Sequence, residues 1–348
     1  PMAGSSLTFR LLEASPFGVL AEIEADDVDA AVALFVEASG EVTDALHGAG
    51  GLMVVRGLSS LRHAPRALVT ISEVFGPDVE NYRETLTAER FFHDEVAEVL
   101  VLSNMAPCNH SPPPRPEPLL DEEGRFPVQF PQRANWHTDQ SYRRPPPDVT
   151  LLFGVTVPPP DEGQTLFADC TAALEALAPE ERAEIEGLSG LHAPSWIGRR
   201  PQDVRAGATP KPLLAHQLPQ RQPLVRVHPV TGKPALYICE EAQMDHLEGP
   251  VEGLEPGPDG AGAQLIRRLL AYATRREFVY VHEWREGDLV IGDNRCLLHA
   301  ASWFDAQRHP RLMWRTTVSG HPGAEYAGEA KSWVPKQGHA PMEGMEDA

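Results

Sequence analysis

Trp136-His137-Thr138-Asp139, read together with Asp293-Asn294-Arg295-Cys296-Leu297-Leu298-His299, decides how this chain is understood. In an extended strand, residues i and i+2 point to the same side. His137 and Asp139 can therefore offer an imidazole and a carboxylate to one metal ion. His299 adds a second imidazole if a distant strand folds alongside, which is how a β-barrel assembles a site at its mouth. The pattern His-x-acid is weak by itself, since 14 His and 50 acidic residues among 348 give about two matches by chance. Two others occur, at His93-Asp94-Glu95 and His246-Leu247-Glu248, and both read as charged surface segments without partners.

The surroundings of His137 set it apart. Residues 149–157 (VTLLFGVTV) are strongly β-prone, and 277–284 (EFVYVHEW) read as a buried strand. Arg285-Glu286-Gly287-Asp288 turns the chain into Leu289-Val290-Ile291, Asp293-Asn294 turns it again, and Cys296–His299 runs on as strand. A further strand over residues 308–318 carries Arg311 and Arg315 on one side. Two His and one carboxylate on one face of an octahedron leave three positions open, the arrangement of non-haem Fe(II) oxygenases.

Other segments add order to the pattern: residues 50–58 (GGLMVVRGL), Phe75-Gly76-Pro77, Gly163-Gln164-Thr165-Leu166-Phe167, residues 228–237 (HPVTGKPALY), and Gly287-Asp288-Leu289-Val290. From about Gly51 to about Gly320 the chain resembles the TauD/TfdA family of Fe(II)- and 2-oxoglutarate-dependent dioxygenases, above all its 2,4-dichlorophenoxyacetate branch. The resemblance implies an α+β, mainly β fold: a double-stranded β-helix (jelly-roll) core with flanking α-helices. It implies Fe(II), 2-oxoglutarate and O2 as cofactor and cosubstrates, with His137, Asp139 and His299 as iron ligands. Arg311 would pair with the distal carboxylate of 2-oxoglutarate, and Thr165 would donate a hydrogen bond to the same group. Arg315 would lie near the other carboxylate or the anionic head of the primary substrate. The expected reaction is hydroxylation of an unactivated C–H, with 2-oxoglutarate leaving as succinate and CO2. Halogenating relatives replace the carboxylate ligand with a small residue, so Asp139 points to hydroxylation or a related oxidation such as desaturation or ring formation.

Composition fits a globular enzyme of this size, read as one domain over residues 1–320 with a loosely ordered tail over 321–348. A formal net charge of −20 argues against nucleic acid or an anionic membrane as partner, leaving a small molecule. No run of 18 apolar residues spans a membrane and no N-terminal signal is evident. Cys108, Cys170, Cys239 and Cys296 lack CxxC spacing and read as reduced thiols of a cytoplasmic protein, possible as a homo-oligomer (dimer or tetramer). A cupin-type metalloenzyme would favour three or four His with a Glu and would not need Arg311 and Thr165. A catalytically silent binding protein would have no reason to keep all four of His137, Asp139, His299 and Arg311.

Helices are expected over 23–49, 61–75, 171–188 (restarting at Pro179) and 260–274. Residues 107–132, rich in Pro, read as a lid loop, and 193–224 as an insert that shapes the pocket. Candidate substrate contacts are Asn81, Tyr82, Arg133 and Asn135, with Asn104, Trp196 and Met244 as walls. Arg143-Arg144 reads as a solvated turn.

Overall fold

The structure, a computed structural model, describes residues 5–85, 87–117, 136–207 and 209–333. The first strands are β1 (Ser6–Leu11), β2 (Val19–Glu24), β3 (Leu52–Arg56), β4 (Asp78–Val79), β5 (Leu100–Ser103), β6 (Val149–Thr156) and β7 (Thr165–Asp169). Then follow β8 (Ser189–His192), β9 (Gln220–Pro223), β10 (Val225–Val227), β11 (Pro234–Leu236), β12 (Val279–His282), β13 (Leu289–Asp293), β14 (Leu297–Ala301) and β15 (Leu312–Ser319). The helices are α1 (Val28–Glu37), α2 (Ser39–Gly48), α3 (Pro65–Ser72), α4 (Cys170–Ala176), α5 (Pro179–Ile185), α6 (Pro201–Arg205) and α7 (Ala261–Ala273).

The larger sheet runs β1-β2-β3-β13-β6-β15, with β4 and β5 end to end along the outer edge of β15. Its pairings are antiparallel except for β2 with β3. A smaller antiparallel sheet, β12-β7-β14, packs against it. Strand alternation divides the core in two. Leu52, Val54, Val290 and Met313 point inward with Leu166, Leu298 and the apolar faces of α4 and α7. Met53, Val55, Leu289, Ile291 and Phe153 point outward under α1, α2 and α3. Because both faces of the central strands are buried, their sequences are nearly continuous apolar runs. The hairpin expected over 228–237 is β10 paired with β11.

Two expected boundaries move. The helix read over 23–49 begins only at Val28, because Val19–Glu24 alternates at the strand period and pairs with β1. Asp27 then caps α1, its carboxylate accepting from Ala30 N at 2.8 Å, and Ala38 separates α1 from α2. The tail read as loose is docked over residues 321–333: Tyr326 is buried and its hydroxyl donates to Gln222. Residues 334–348 lie outside the described residues. No helix among the described residues is long and apolar enough to cross a membrane.

Candidate metal centre

His137 does not sit in a continuous ladder. It makes one antiparallel bridge, to His299 on the open edge of β14, with His137 N donating to His299 O at 3.0 Å and His299 N to His137 O at 2.8 Å. Directly opposed residues bring their side chains together on one face, and the two imidazole centroids lie 4.3 Å apart. The chain then turns at Asp139, so the i, i+2 relation to His137 is made by a turn rather than a strand. Asp139 Oδ1 lies 3.6 Å from His137 Nε2 and 3.7 Å from His299 Nε2. One ligand atom from each of the three residues fits within 4.8 Å of the others.

Asp139 is oriented from behind. Thr150 Oγ1 donates to its Oδ2 at 2.6 Å, and Asn294 Nδ2 donates to Thr150 Oγ1 at 2.9 Å. Arg315 Nη1 donates to Oδ1 at 3.1 Å. Burial pushes the Asp139 carboxyl up, but the Arg315 cation and the two imidazoles outweigh it and hold the group well below the usual carboxylate range. Burial, with His137 nearby, lowers His299 to about 3, so its ring is neutral near pH 7. Neutral imidazoles and one ionised carboxylate are the form a divalent metal requires.

The triad opens into a cavity of about 370 Å³ between the two sheets. Inward strand positions line it, Thr150 and Leu152, Thr165 and Phe167, Val290 and Gly292, His299 and Ala301, and Arg315, together with Arg311 just before β15. Gly163, at φ +63, makes the turn that delivers Thr165, and a Cβ there would approach Pro158 to 3.1 Å. Thr165 Oγ1 accepts from Trp284 Nε1 at 2.9 Å, which leaves the hydroxyl proton free to donate. Arg311 Nε is buried without a hydrogen-bond partner, and no carboxylate of the described residues pairs with this guanidinium. Burial lowers it to about 10, so it stays cationic at neutral pH. An unpaired buried cation in a cavity is a site awaiting an anion.

The other candidates divide. His110 and Pro112–Pro114 of the expected lid line the cavity, as do Ser195 and Arg200 of the insert. Arg133, Asn135 and residues 118–132 of the lid lie outside the described residues. Asn81 lines a separate cavity of about 140 Å³. Tyr82 is buried, bonded through its hydroxyl to Thr317 and raised to about 12 by burial, so it is core rather than wall. Asn104 is a buckle: its amide donates to Ala306 O and His309 O, and its oxygen accepts from Arg311 N at 2.8 Å. Trp196 stacks edge-on with Tyr142, and Met244 is buried in the main core, with Gln243 lining the cavity instead. Arg143 is not solvated but buried against Glu80 at 2.8 Å. His246 is fully buried, not a surface residue. Sequence reasoning missed Thr150, Trp284 and Asn294. The inward phase of Thr150 within an apolar strand was the available signal.

A second cluster, His47, His228 and Asp293, also brings three ligand atoms within 4.8 Å. Its donors are already used. Arg295 grips Asp293 at 2.8 and 2.6 Å, and His228 Nε2 lies 2.9 Å from Oδ2. His228 Nδ1 accepts from Val230 N and Thr231 N, so its proton resides on Nε2 and points at the carboxylate.

A two-sheet scaffold holding His, Asp and His at the head of a cavity with an unpaired arginine defines a metal-site class, and comparison with known proteins places it. The chain belongs to the taurine catabolism dioxygenase TauD, TfdA family, whose model matches residues 13–317. It is 36% identical over 188 residues to the alpha-ketoglutarate-dependent 2,4-dichlorophenoxyacetate dioxygenase of Cupriavidus pinatubonensis, covering 53% of this chain and 59% of that protein. It is 34% identical over 196 residues to the (S)-phenoxypropionate/alpha-ketoglutarate-dioxygenase of Sphingobium herbicidovorans, covering 55% and 64%. The chain thus spans less than two thirds of these relatives' length. Among solved structures it resembles AAD-2 in complex with Mn(II) and N-oxalylglycine, with a TM-score of 0.62, 26% identity and coverage of 91% of this chain and 98% of that one.

Proposed function

We propose that the chain is an Fe(II)- and 2-oxoglutarate-dependent dioxygenase that hydroxylates an unactivated C–H of a small anionic molecule, with carboxylates of the aryloxyalkanoate kind as the first class to test. One observation carries the reading: a single cavity is lined both by His137 and His299, which cluster with Asp139, and by the unpaired Arg311. The residues fit the groups. Two imidazoles and a carboxylate suit Fe(II) and leave positions open, while Arg311 and Thr165 suit a carboxylate at the far end of a keto acid. The names of the two relatives support the substrate class, and the −20 net charge favours a small partner over a polyanion. The two packed sheets support a double-stranded β-helix reading of the core, and four free, buried cysteines support a reducing, cytoplasmic setting.

Bound there, Fe(II) would activate O2 as the oxidant, one oxygen atom going into succinate as 2-oxoglutarate loses CO2 and the other into the substrate C–H bond. The protein's part is binding and orientation. Arg311 fixes the distal carboxylate, with Thr165 donating beside it. Thr150 and Arg315 hold Asp139 in one rotamer, facing both imidazoles. Leu152, Phe167, Val290 and Phe304 form an apolar wall that excludes water and packs on the carbon skeleton of a substrate. The test is succinate formation with Fe(II), 2-oxoglutarate and O2 against a panel of aryloxyalkanoates, sulfonates and alkyl sulfates. Stimulation by a panel member is expected. Absence of succinate under every condition would overturn the reading.

A further inference from the structure

The loop from His137 to Arg144 carries two of the three clustered ligands and has little regular structure of its own. Gln140, directly after Asp139, adopts φ 50, a left-handed conformation that a non-glycine residue keeps only when its surroundings fix it. On one side Glu80 does so, accepting from Gln140 Nε2 at 3.0 Å and from Arg143 Nη1 at 2.8 Å. On the other side the fixing comes from the C-terminal segment, beyond the end of the family match at residue 317.

Gln222 is completely buried, and its amide nitrogen donates to both Ser141 O and Arg143 O at 2.8 Å. Its amide oxygen accepts from Tyr326 Oη at 2.7 Å, which determines which way the amide faces. The Tyr326 ring is itself held, 5.0 Å from the buried Arg226 guanidinium. Further on, Ser332 N donates to Arg144 O at 2.9 Å and Arg144 N donates to Ser332 Oγ at 3.0 Å. Glu329 receives the Arg144 guanidinium at 2.7 and 2.9 Å. Residues 326, 329 and 332 thus meet the metal loop or its support at intervals of three.

We propose that residues 321–333 form a strap that positions the metal loop, with Tyr326 acting on Asp139 through Gln222 and the carbonyls of Ser141 and Arg143. Tyr326 and Gln222 are positioning residues: neither lines the cavity, and Ser141 is two residues from Asp139. The inference rests on the reading of His137, Asp139 and His299 as the metal triad. Groups that orient metal ligands from outside typically change metal affinity 10–100-fold when removed.

The experiment titrates the full chain with Mn(II), following free metal by electron paramagnetic resonance, and records the visible spectrum of the Co(II) form. Tyr326→Phe removes one oxygen and keeps the ring on Arg226, and Gln222→Leu removes the amide. Val42→Ala, in the outer core, serves as a destabilised control. Tyr326→Phe and Gln222→Leu are expected to weaken Mn(II) binding about tenfold or more and to alter the Co(II) bands. Val42→Ala is expected to lower the melting temperature and leave both unchanged. Wild-type Mn(II) affinity in Tyr326→Phe and Gln222→Leu, or weakening matched by Val42→Ala, would overturn the strap alone. A wild-type chain that binds no Mn(II) would overturn the triad and the strap with it.

Discussion

Trp284 Nε1 donates to Thr165 Oγ1 at 2.9 Å from a position almost fully withdrawn from solvent. The bond matters for what it leaves over. A hydroxyl that accepts from an indole has its own proton to give, and Thr165 faces the cavity in company with Arg311. Trp284 is thus a device for setting the polarity of Thr165, the role the proposed cosubstrate carboxylate needs.

Removing that bond is expected to weaken 2-oxoglutarate more than it disturbs the fold. Trp284→Phe keeps an aromatic ring in the core but frees the Thr165 rotor, at about 1 kcal/mol, or roughly fivefold in affinity. Thr165→Val, which deletes the donor itself, is expected to weaken it at least as much. Calorimetric titration of the Mn(II)-loaded protein with 2-oxoglutarate measures both, and unchanged affinity in Thr165→Val would remove the hydroxyl from the site.

Arg311 should matter more. Its guanidinium is buried with an unpartnered Nε, so a bound carboxylate gains a charge-assisted pair in a dry setting. Arg311→Ala is expected to weaken 2-oxoglutarate by about 2–5 kcal/mol. Arg311→Lys should recover only part, because a point charge cannot reproduce a planar fork. Equal affinity in wild type and Arg311→Ala would place the cosubstrate elsewhere.

The family was legible because its motifs fall on strands, whose alternation converts spacing into direction. His299 and Arg315 reach one cavity from strands β14 and β15, and Arg311, just before β15, is set there by the Asn104 side chain. Legibility failed where direction depends on tertiary contacts. Tyr82 and Met244 look like pocket residues in sequence, but packing turns them into the core. Arg143 looks solvated until Glu80, about sixty residues earlier, is brought beside it. The docked tail was invisible for the same reason. Its polar composition resembles a disordered end, and only Gln222, Arg226 and Arg144 supply partners for Tyr326 and Glu329.

His192 gives the fold an acid sensitivity. It is fully buried, its Nδ1 lies 2.7 Å from Ser141 Oγ, and burial lowers it from 6.5 to about 3. The unfolded chain therefore takes up a proton below pH 6.5 that the native state refuses until about pH 3. Stability is unaffected above 6.5 and falls as pH drops through that window, by up to about 1.4 kcal/mol per unit. Urea unfolding of wild type and His192→Gln between pH 7 and pH 5 should show the variant losing less stability on acidification. Parallel curves would mean that His192 is not held neutral.

The chain should bind one transition metal, not two, although two His/His/Asp clusters have similar spacing. At Asp293 both oxygens are taken, Oδ1 and Oδ2 by the Arg295 fork and Oδ2 also by His228. His228 cannot readily free its Nε2 lone pair, because that requires a proton on Nδ1, which already faces two backbone N–H donors. At Asp139 the donors to the carboxylate are Thr150 and Arg315, and both imidazole Nε2 atoms face the same oxygen from 3.6 to 3.7 Å, with room between them for an ion. Co(II) titration followed by visible absorption is expected to reach its end point at one equivalent. His47→Ala should leave that end point unchanged, and His299→Ala should abolish it. A second tight equivalent lost in His47→Ala would show that the protons at His228 had been assigned wrongly.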